Sequence, residues 1–125
     1  MSERVTDAEF LVMDALWQEA PLAASEVSTR LVRQTGWSAQ TVKTLLSRLV
    51  DKGAVAAEAD GRRYLYRPLL AREDYAQQAA HSLVSRLFGG KAAPLVAHLA
   101  DAGELTAEDI KDIEALLEDI KNGRR

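Results

Sequence analysis

The chain of 125 residues contains no cysteine. This absence excludes disulfide bonds, thiolate metal sites and cysteine nucleophiles, and it is typical of cytoplasmic proteins. Long apolar runs are also missing, because no stretch approaches the roughly 18 apolar residues of a membrane-spanning helix. The chain does not open with a charged and then apolar leader that ends in a cleavage site. We therefore expect a cytoplasmic protein with no signal peptide and no membrane insertion.

Residue patterns typical of catalysis or metal binding are missing as well. The two histidines, His81 and His98, lie far apart and have no acids or cysteines at ligand spacing. The acids of residues 104–119 lack the alternating positions and the central glycine of a calcium loop. The sequence contains no nucleophile paired with a base and no phosphate-binding loop. We therefore predict that the protein is not an enzyme and has no catalytic, cofactor-binding or metal-binding residue.

Positive charge is concentrated in one segment of the chain. The formal net charge of the whole sequence is −3. Residues 30–72 contain nine basic and three acidic residues, whereas the flanking segments 1–29 and 73–125 are both net acidic. A local basic patch on an acidic protein is typical of a DNA-binding surface.

Three helices are predicted in the first half of the chain. The first begins at Thr6, which forms a capping box with Glu9, and ends before Pro21. A second, short helix runs roughly over residues 24–34. The third runs from the N-cap Ser38 to the glycine at position 53, with apolar residues on one face. The opposite face of this third helix carries Gln40, Lys43, Thr44, Ser47 and Arg48.

A β-hairpin follows the third helix. Its predicted strands, 54–59 and 62–67, are joined by Asp60-Gly61, a signal for a type I′ turn. The adjacent Arg62 and Arg63 lie at its tip. We expect the strand tyrosines, Tyr64 and Tyr66, to serve in packing.

The order helix, helix, helix, hairpin is that of a winged helix-turn-helix module. Such a module places its recognition helix in the DNA major groove and its hairpin, the wing, on the flanking backbone. Glutamine suits adenine, lysine suits guanine, and the threonine methyl can meet a thymine methyl. The predicted base contacts are Gln40, Thr41, Lys43 and Thr44. The predicted phosphate contacts are Ser38, Arg48, Arg62 and Arg63.

The second half of the chain is predicted to be helical. Its last helix begins at Thr106, and apolar residues recur in it at heptad spacing. This helix either packs within its own chain or forms a dimer seam, and we favour the seam because two-fold dimers reach successive major grooves. The predicted dimer-interface residues are Tyr75, Leu83, Leu87, Ile110, Ile113, Leu117 and Ile120.

These patterns together predict a mainly α protein with a small β-hairpin wing. A winged helix-turn-helix domain over residues 1–70 precedes a helical dimerisation domain over residues 71–125. The predicted function is sequence-specific binding of double-stranded DNA by a homodimer. The alternative is a winged-helix module that binds proteins and not DNA.

The sequence resembles the penicillinase repressor family, the BlaI/MecI/CopY group of bacterial regulators, from about Thr6 to Lys121. The segments that carry the resemblance are TDAEFLVMDALW, the SEV of helix two, GWSAQTVKTLLSRLVDKGAV, GRRYLYRP and LTAEDIKDIEALLEDIKN.

The resemblance implies a homodimeric repressor that binds a palindromic operator. It also implies a regulatory protease that leads to cleavage in the C-terminal domain. The family's cleaved Asn-Phe pair aligns with a different dipeptide here, His98-Leu99. The copper-responsive members carry a C-terminal cysteine motif that this chain lacks, so release by copper through that motif is excluded.

Overall fold

The computed structural model describes residues 4–125 and is mainly helical with one small antiparallel sheet, which confirms the predicted fold class. The elements in chain order are α1 (Asp7–Gln18), β1 (Leu22–Ala23), α2 (Ala24–Thr35), α3 (Ala39–Asp51), β2 (Val55–Asp60), β3 (Arg63–Pro68), α4 (Arg72–Phe88), α5 (Ala92–Asp101) and α6 (Ala107–Lys121).

The predicted helix starts are confirmed by side-chain caps. The Thr6 hydroxyl accepts a hydrogen bond from the Glu9 N–H, and the Glu9 carboxylate accepts one from the Thr6 N–H, at 3.2 and 2.9 Å. Ser38 caps α3 by accepting from the Thr41 N–H. Each cap satisfies N–H groups that have no partner within the helix. The caps therefore fix where α1 and α3 begin.

The hydrophobic core is built where α1, α2 and α3 pack together under the sheet. The buried face of α3 is the predicted i, i+3, i+4, i+7 stripe, and the half-buried Trp37 packs against the same core. The buried apolar residues are Val5, Val12, Met13, Ala15, Leu16, Leu22, Val27, Leu31, Val42, Leu45, Leu46, Leu49, Ala54 and Val55.

The hairpin differs from its prediction by one residue. Asp60 pairs with Arg63, so the two-residue loop is Gly61-Arg62 and not Asp60-Gly61. Gly61 has φ +64°, whereas no non-glycine residue among those described has a positive φ. A type I′ turn needs positive φ at both central residues, so that predicted turn type is wrong.

The sheet also has a third strand that the sequence patterns did not predict. The two residues Leu22 and Ala23 pair antiparallel with Tyr66 and Leu65, which places β3 between β1 and β2. This short strand ties the start of α2 to the wing. The position of the wing relative to the helices is therefore set by backbone hydrogen bonds.

The chain divides into two compact units, Met1–Gln77 and Gln78–Arg125. The start of α4 belongs to the first unit, because Tyr75 packs against Phe10 and Trp17 with ring centroids 5.4 and 5.7 Å apart. In the same region the Trp17 indole N–H donates to the Leu70 carbonyl at 2.8 Å. The second unit contains most of α4 together with α5 and α6, and none of its residues is fully buried.

Candidate nucleic-acid interface

The exposed face of α3 carries every side chain for which a base contact was predicted. The apolar stripe of this helix is buried against the core, which turns the polar stripe outward. Burial of the apolar stripe therefore explains why these polar side chains face solvent. The exposed residues of this face are Gln40, Thr41, Lys43, Thr44, Ser47 and Arg48.

Side chains of this face line two different hollows. One is a shallow recess of about 260 Å³, and we call it the α3 recess. It is lined by Ser38, Gln40, Thr41, Thr44, Leu45 and Arg48. The other is a cleft of about 280 Å³ between α2, α3 and the wing, and we call it the wing cleft. It is lined by Ala23, Ala24, Ser25, Lys43, Arg62, Arg63, Tyr64 and Tyr66.

The threonine hydroxyls in the α3 recess are already engaged within the helix. The Thr44 hydroxyl donates to the Gln40 carbonyl at 3.0 Å. The Thr41 and Ser38 hydroxyl oxygens lie 3.1 Å apart and share a hydrogen bond. Because the Thr44 hydroxyl proton is used in this way, Thr44 is left with its methyl group and an acceptor lone pair for an external partner. The available methyl group of Thr44 suits the predicted contact with a thymine methyl.

The two wing arginines differ in their surroundings. Arg63 Nε lies 3.3 Å from an Asp60 carboxylate oxygen, and its Nη1 lies 4.0 Å from a Glu26 carboxylate oxygen. Arg62, in the loop, has no carboxylate partner among residues 4–125, and neither has Arg48 on α3. The predicted phosphate contacts therefore include arginines with free charge and one that already faces two acids.

A buried ion pair fixes the C-terminal end of α3. The Lys52 ammonium donates to the carboxylate of Glu9, which is 0% exposed, and to the Arg4 carbonyl at 2.8 Å. Burial alone raises the pKa of the Glu9 carboxyl, but hydrogen bonds from Lys52 and the Thr6 N–H, with the Lys52 charge, lower the pKa below its ordinary value. The sequence showed Glu9 only as part of a capping box, so its pairing with Lys52 was missed.

Two further residues of the wing cleft were not predicted as site residues. Ser25 lies at the start of α2, where β1 brings it beside the wing. Tyr64, which was expected to serve in packing, is 55% exposed and lines the cleft. Tyr66, by contrast, packs against the core as expected. No spacing rule in the sequence shows which tyrosine of a strand lies under a neighbouring helix, so this distinction needed the structure.

The predicted dimer-interface residues occur in both units. Tyr75 packs within the first unit, and in the second unit Leu83 and Ile113 are half-buried. The remaining four, Leu87, Ile110, Leu117 and Ile120, are exposed. The predicted cleavage pair, His98-Leu99, lies inside α5, and the His98 ring is 5.5 Å from the Phe88 ring between centroids.

Residues 4–125 contain neither a metal-binding cluster nor a membrane-spanning helix. No group of three or more histidines, cysteines or acids able to hold a metal ion occurs in that range. No helix in the same range is long and apolar enough to cross a membrane.

The fold and this surface define the class of the protein. Three helices with a polar and basic third helix, followed by an antiparallel wing, make it a winged helix-turn-helix protein. Comparison with known proteins identifies the group within that class. The chain belongs to the penicillinase repressor family, whose model matches residues 5–119. This is a family of transcriptional repressors, which are not enzymes.

Individual relatives agree with this assignment. The chain is 30% identical over 122 residues to the penicillinase repressor of Bacillus licheniformis. The alignment covers 98% of this chain and 95% of the relative. It is similar to the solution structure of the DNA-binding domain of the repressor BlaI, with 34% identity, a TM-score of 0.53, and coverage of 60% of this chain and 94% of that one.

A second solution structure shows a relative bound to DNA. It is the monomeric form of Bacillus licheniformis BlaI in complex with the blaP half-operator, with 33% identity and a TM-score of 0.52. The match covers 60% of this chain and 92% of that one.

Proposed function

We propose that this chain is a homodimeric transcriptional repressor that binds a palindromic DNA operator. The observation that carries the proposal is the polar and basic face of α3, which is exposed and flanked by the wing in a chain of this family. The similar BlaI structure is bound to a half-operator, which supports the same role for this surface. An operator made of two such halves matches a two-fold dimer.

Base recognition is assigned to the α3 recess. Gln40 and Thr44 lie one helical turn apart there, so they can reach neighbouring bases of one groove. The Gln40 amide can donate and accept together, as the edge of adenine requires. Arg48 lies one turn further along, and its free guanidinium suits a phosphate of the groove wall.

The experiment for this part is selection of bound duplexes from a random-sequence library. Wild-type protein is expected to enrich a palindrome, and Gln40→Ala or Thr44→Ala is expected to relax preference at one or two positions of each half-site. The matched control is Thr29→Ala, because Thr29 is also an exposed helical threonine whose hydroxyl bonds the carbonyl four residues earlier. No enriched sequence with wild type, or equal relaxation by the control, would contradict the assignment.

Dimerisation is assigned to the second unit. Leu87, Ile110, Leu117 and Ile120 expose between 47% and 62% of their surface, although they are large and apolar. The α6 members recur at positions that fall on one stripe of the helix. Exposed apolar surface of this kind is typical of a protein interface. A second copy of the chain supplies a matching stripe by symmetry.

Sedimentation equilibrium tests the dimer. Wild-type protein is expected to sediment as a dimer at micromolar concentration, and Leu117→Asp is expected to sediment as a monomer because it places a charge in the seam. Ala115→Asp is the matched control, since Ala115 is exposed on the same helix but lies roughly 200° around it from Leu117. A monomeric wild type would contradict this part of the proposal.

Proteolytic release of the operator is the remaining part. Cleavage between His98 and Leu99 would cut α5 in the middle of the second unit. Proteases bind extended backbone, so α5 has to unwind and the His98–Phe88 contact has to break before cleavage. Mass spectrometry of the chain recovered from derepressed cells is expected to show a fragment ending at His98. An intact chain in those cells would contradict this route.

A further inference from the structure

The wing cleft brings three cationic side chains together around one small hollow. Lys43 enters it from α3, and Arg62 and Arg63 enter it from the wing. The start of α2 forms the third wall, at Ala24 and Ser25. The pairing of β1 with β3 holds the start of α2 beside the wing. The fold therefore gathers part of the positive charge of the basic segment, residues 30–72, around one hollow.

The charges in this cleft are not equally available. The Arg63 guanidinium is shared between the Asp60 and Glu26 carboxylates. Lys43 and Arg62 have no carboxylate partner among the residues the structure describes. Two cations are thus free to bind an anion, whereas Arg63 already faces Asp60 of the wing and Glu26 of α2.

Lys43 lies apart from the other predicted base-reading residues. Successive residues of a helix are rotated by roughly 100°, so Lys43 lies about 60° from Gln40 on one side, whereas Thr44 lies about 40° from Gln40 on the other. In agreement with this, Gln40, Thr41 and Thr44 line the α3 recess, and Lys43 lines the wing cleft. Lys43 therefore lies on the side of α3 that faces the wing.

We propose that the wing cleft binds one backbone phosphate of the DNA, and that Lys43 contacts this phosphate and does not read a base. This inference rests on the proposed function and changes the predicted role of Lys43. Lys43 and Arg62 supply the charge, and the exposed Tyr64 and Ser25 supply hydroxyl donors at the same hollow. A phosphodiester fits this set because it offers several acceptor oxygens around one negative charge.

The test uses the full-length protein and the duplex enriched by selection, with each phosphate of one half-site replaced in turn by a neutral methylphosphonate. Lys43→Gln is expected to bind about tenfold more weakly, both to this duplex and to its single-base variants. It is also expected to reduce the slope of log affinity against log salt by about 0.9. At one phosphate, the losses from methylphosphonate and from Lys43→Gln should not add, because both remove the same contact.

Two variants provide controls. Arg33→Gln removes an exposed charge from the end of α2 outside both hollows, and it should keep the losses additive at every phosphate. Lys43→Arg keeps the charge and should recover most of the affinity. Circular dichroism confirms that each variant is folded before binding is measured.

A changed order of preference among the single-base duplexes for Lys43→Gln would overturn the inference and leave the proposed function standing. Additive losses at every phosphate would overturn it as well. If selection returns no preferred sequence, the proposed function fails. The slope of log affinity against log salt for Lys43→Gln on any bound duplex then shows whether the wing cleft binds a phosphate. An unchanged slope would overturn the inference in that case.

Discussion

Removal of the Lys52 charge is expected to destabilise the winged-helix unit strongly. The Lys52 side chain is 12% exposed and that of Glu9 is 1% exposed, so their ion pair is nearly dry. In Lys52→Met the Glu9 carboxylate stays buried with no cation to balance it. Breaking a buried pair in this way costs about 3–5 kcal/mol. We expect about 3 kcal/mol, the lower end, because Lys52 is not fully buried.

That cost is large compared with the stability of so small a unit. At roughly 0.05–0.15 kcal/mol per residue, a unit of this size has a free energy of unfolding of about 4–11 kcal/mol. Lys52→Met therefore removes a large share of it, and the end of α3 loses its ion pair with Glu9 of α1. Urea unfolding at pH 7, followed by circular dichroism, measures the change.

The double variant Glu9→Leu with Lys52→Met is the control for this prediction. It replaces both charged groups by apolar ones, which is often neutral for a buried pair. We expect it to recover most of the stability lost in the single variant. A single Lys52→Met cost below about 1 kcal/mol, or a double variant as unstable as the single, would refute the reasoning.

The same pair predicts how stability depends on pH. The pKa of Glu9 is lower in the folded chain than the ordinary value of 4.5 for a glutamate. The carboxylate therefore contributes stability that is present above pH 4.5 and is lost as the pH falls through the folded pKa. Glu9→Gln should be less stable than wild type at pH 7. Its stability should change less than that of wild type between about pH 6 and about pH 3. Parallel pH profiles of the two proteins would contradict the assigned pKa direction.

Three smaller effects are expected elsewhere in the chain. Trp17→Phe should cost about 1–2 kcal/mol in urea unfolding, because it removes the indole hydrogen bond to Leu70 and weakens the cation–π contact of Arg72, 4.9 Å from the ring centroid. An unchanged midpoint would count against these two contacts. Gly53→Ala should cost about 1 kcal/mol in the same assay through backbone strain alone, because its φ is +78° and an added Cβ meets nothing within 4 Å. Thr106→Ala should lower the thermal stability of the second unit by about 1 kcal/mol through loss of the α6 cap, and equal melting curves would contradict this.

Sequence patterns predicted the parts of the fold that depend on neighbouring residues. The caps at Thr6, Ser38 and Thr106 are local hydrogen bonds, so spacing alone located the starts of three helices. The buried stripe of α3 follows from helical periodicity, and its exposed face follows from the same pattern.

Features that depend on distant residues were not predicted. The Glu9–Lys52 pair joins residues 43 positions apart, and β1 has only two residues and no alternation to reveal it. The signal Asp60-Gly61 located the hairpin but not its register, because the glycine can occupy either central position of a turn. The α3 face borders two hollows because of the position of the wing. The pairing of β1 with β3 fixes that position. For that reason the sequence grouped Lys43 with Gln40.

The surface that meets DNA can be mapped directly by titrating ¹⁵N-labelled protein with the selected duplex and following the backbone amide shifts by NMR. The largest shifts are expected in residues 38–48, in the wing at 61–64 and at the start of α2. Residues 78–125 are expected to shift little. Shifts concentrated in α4–α6, with α3 and the wing unchanged, would contradict the central claim that α3 and the wing bind the operator.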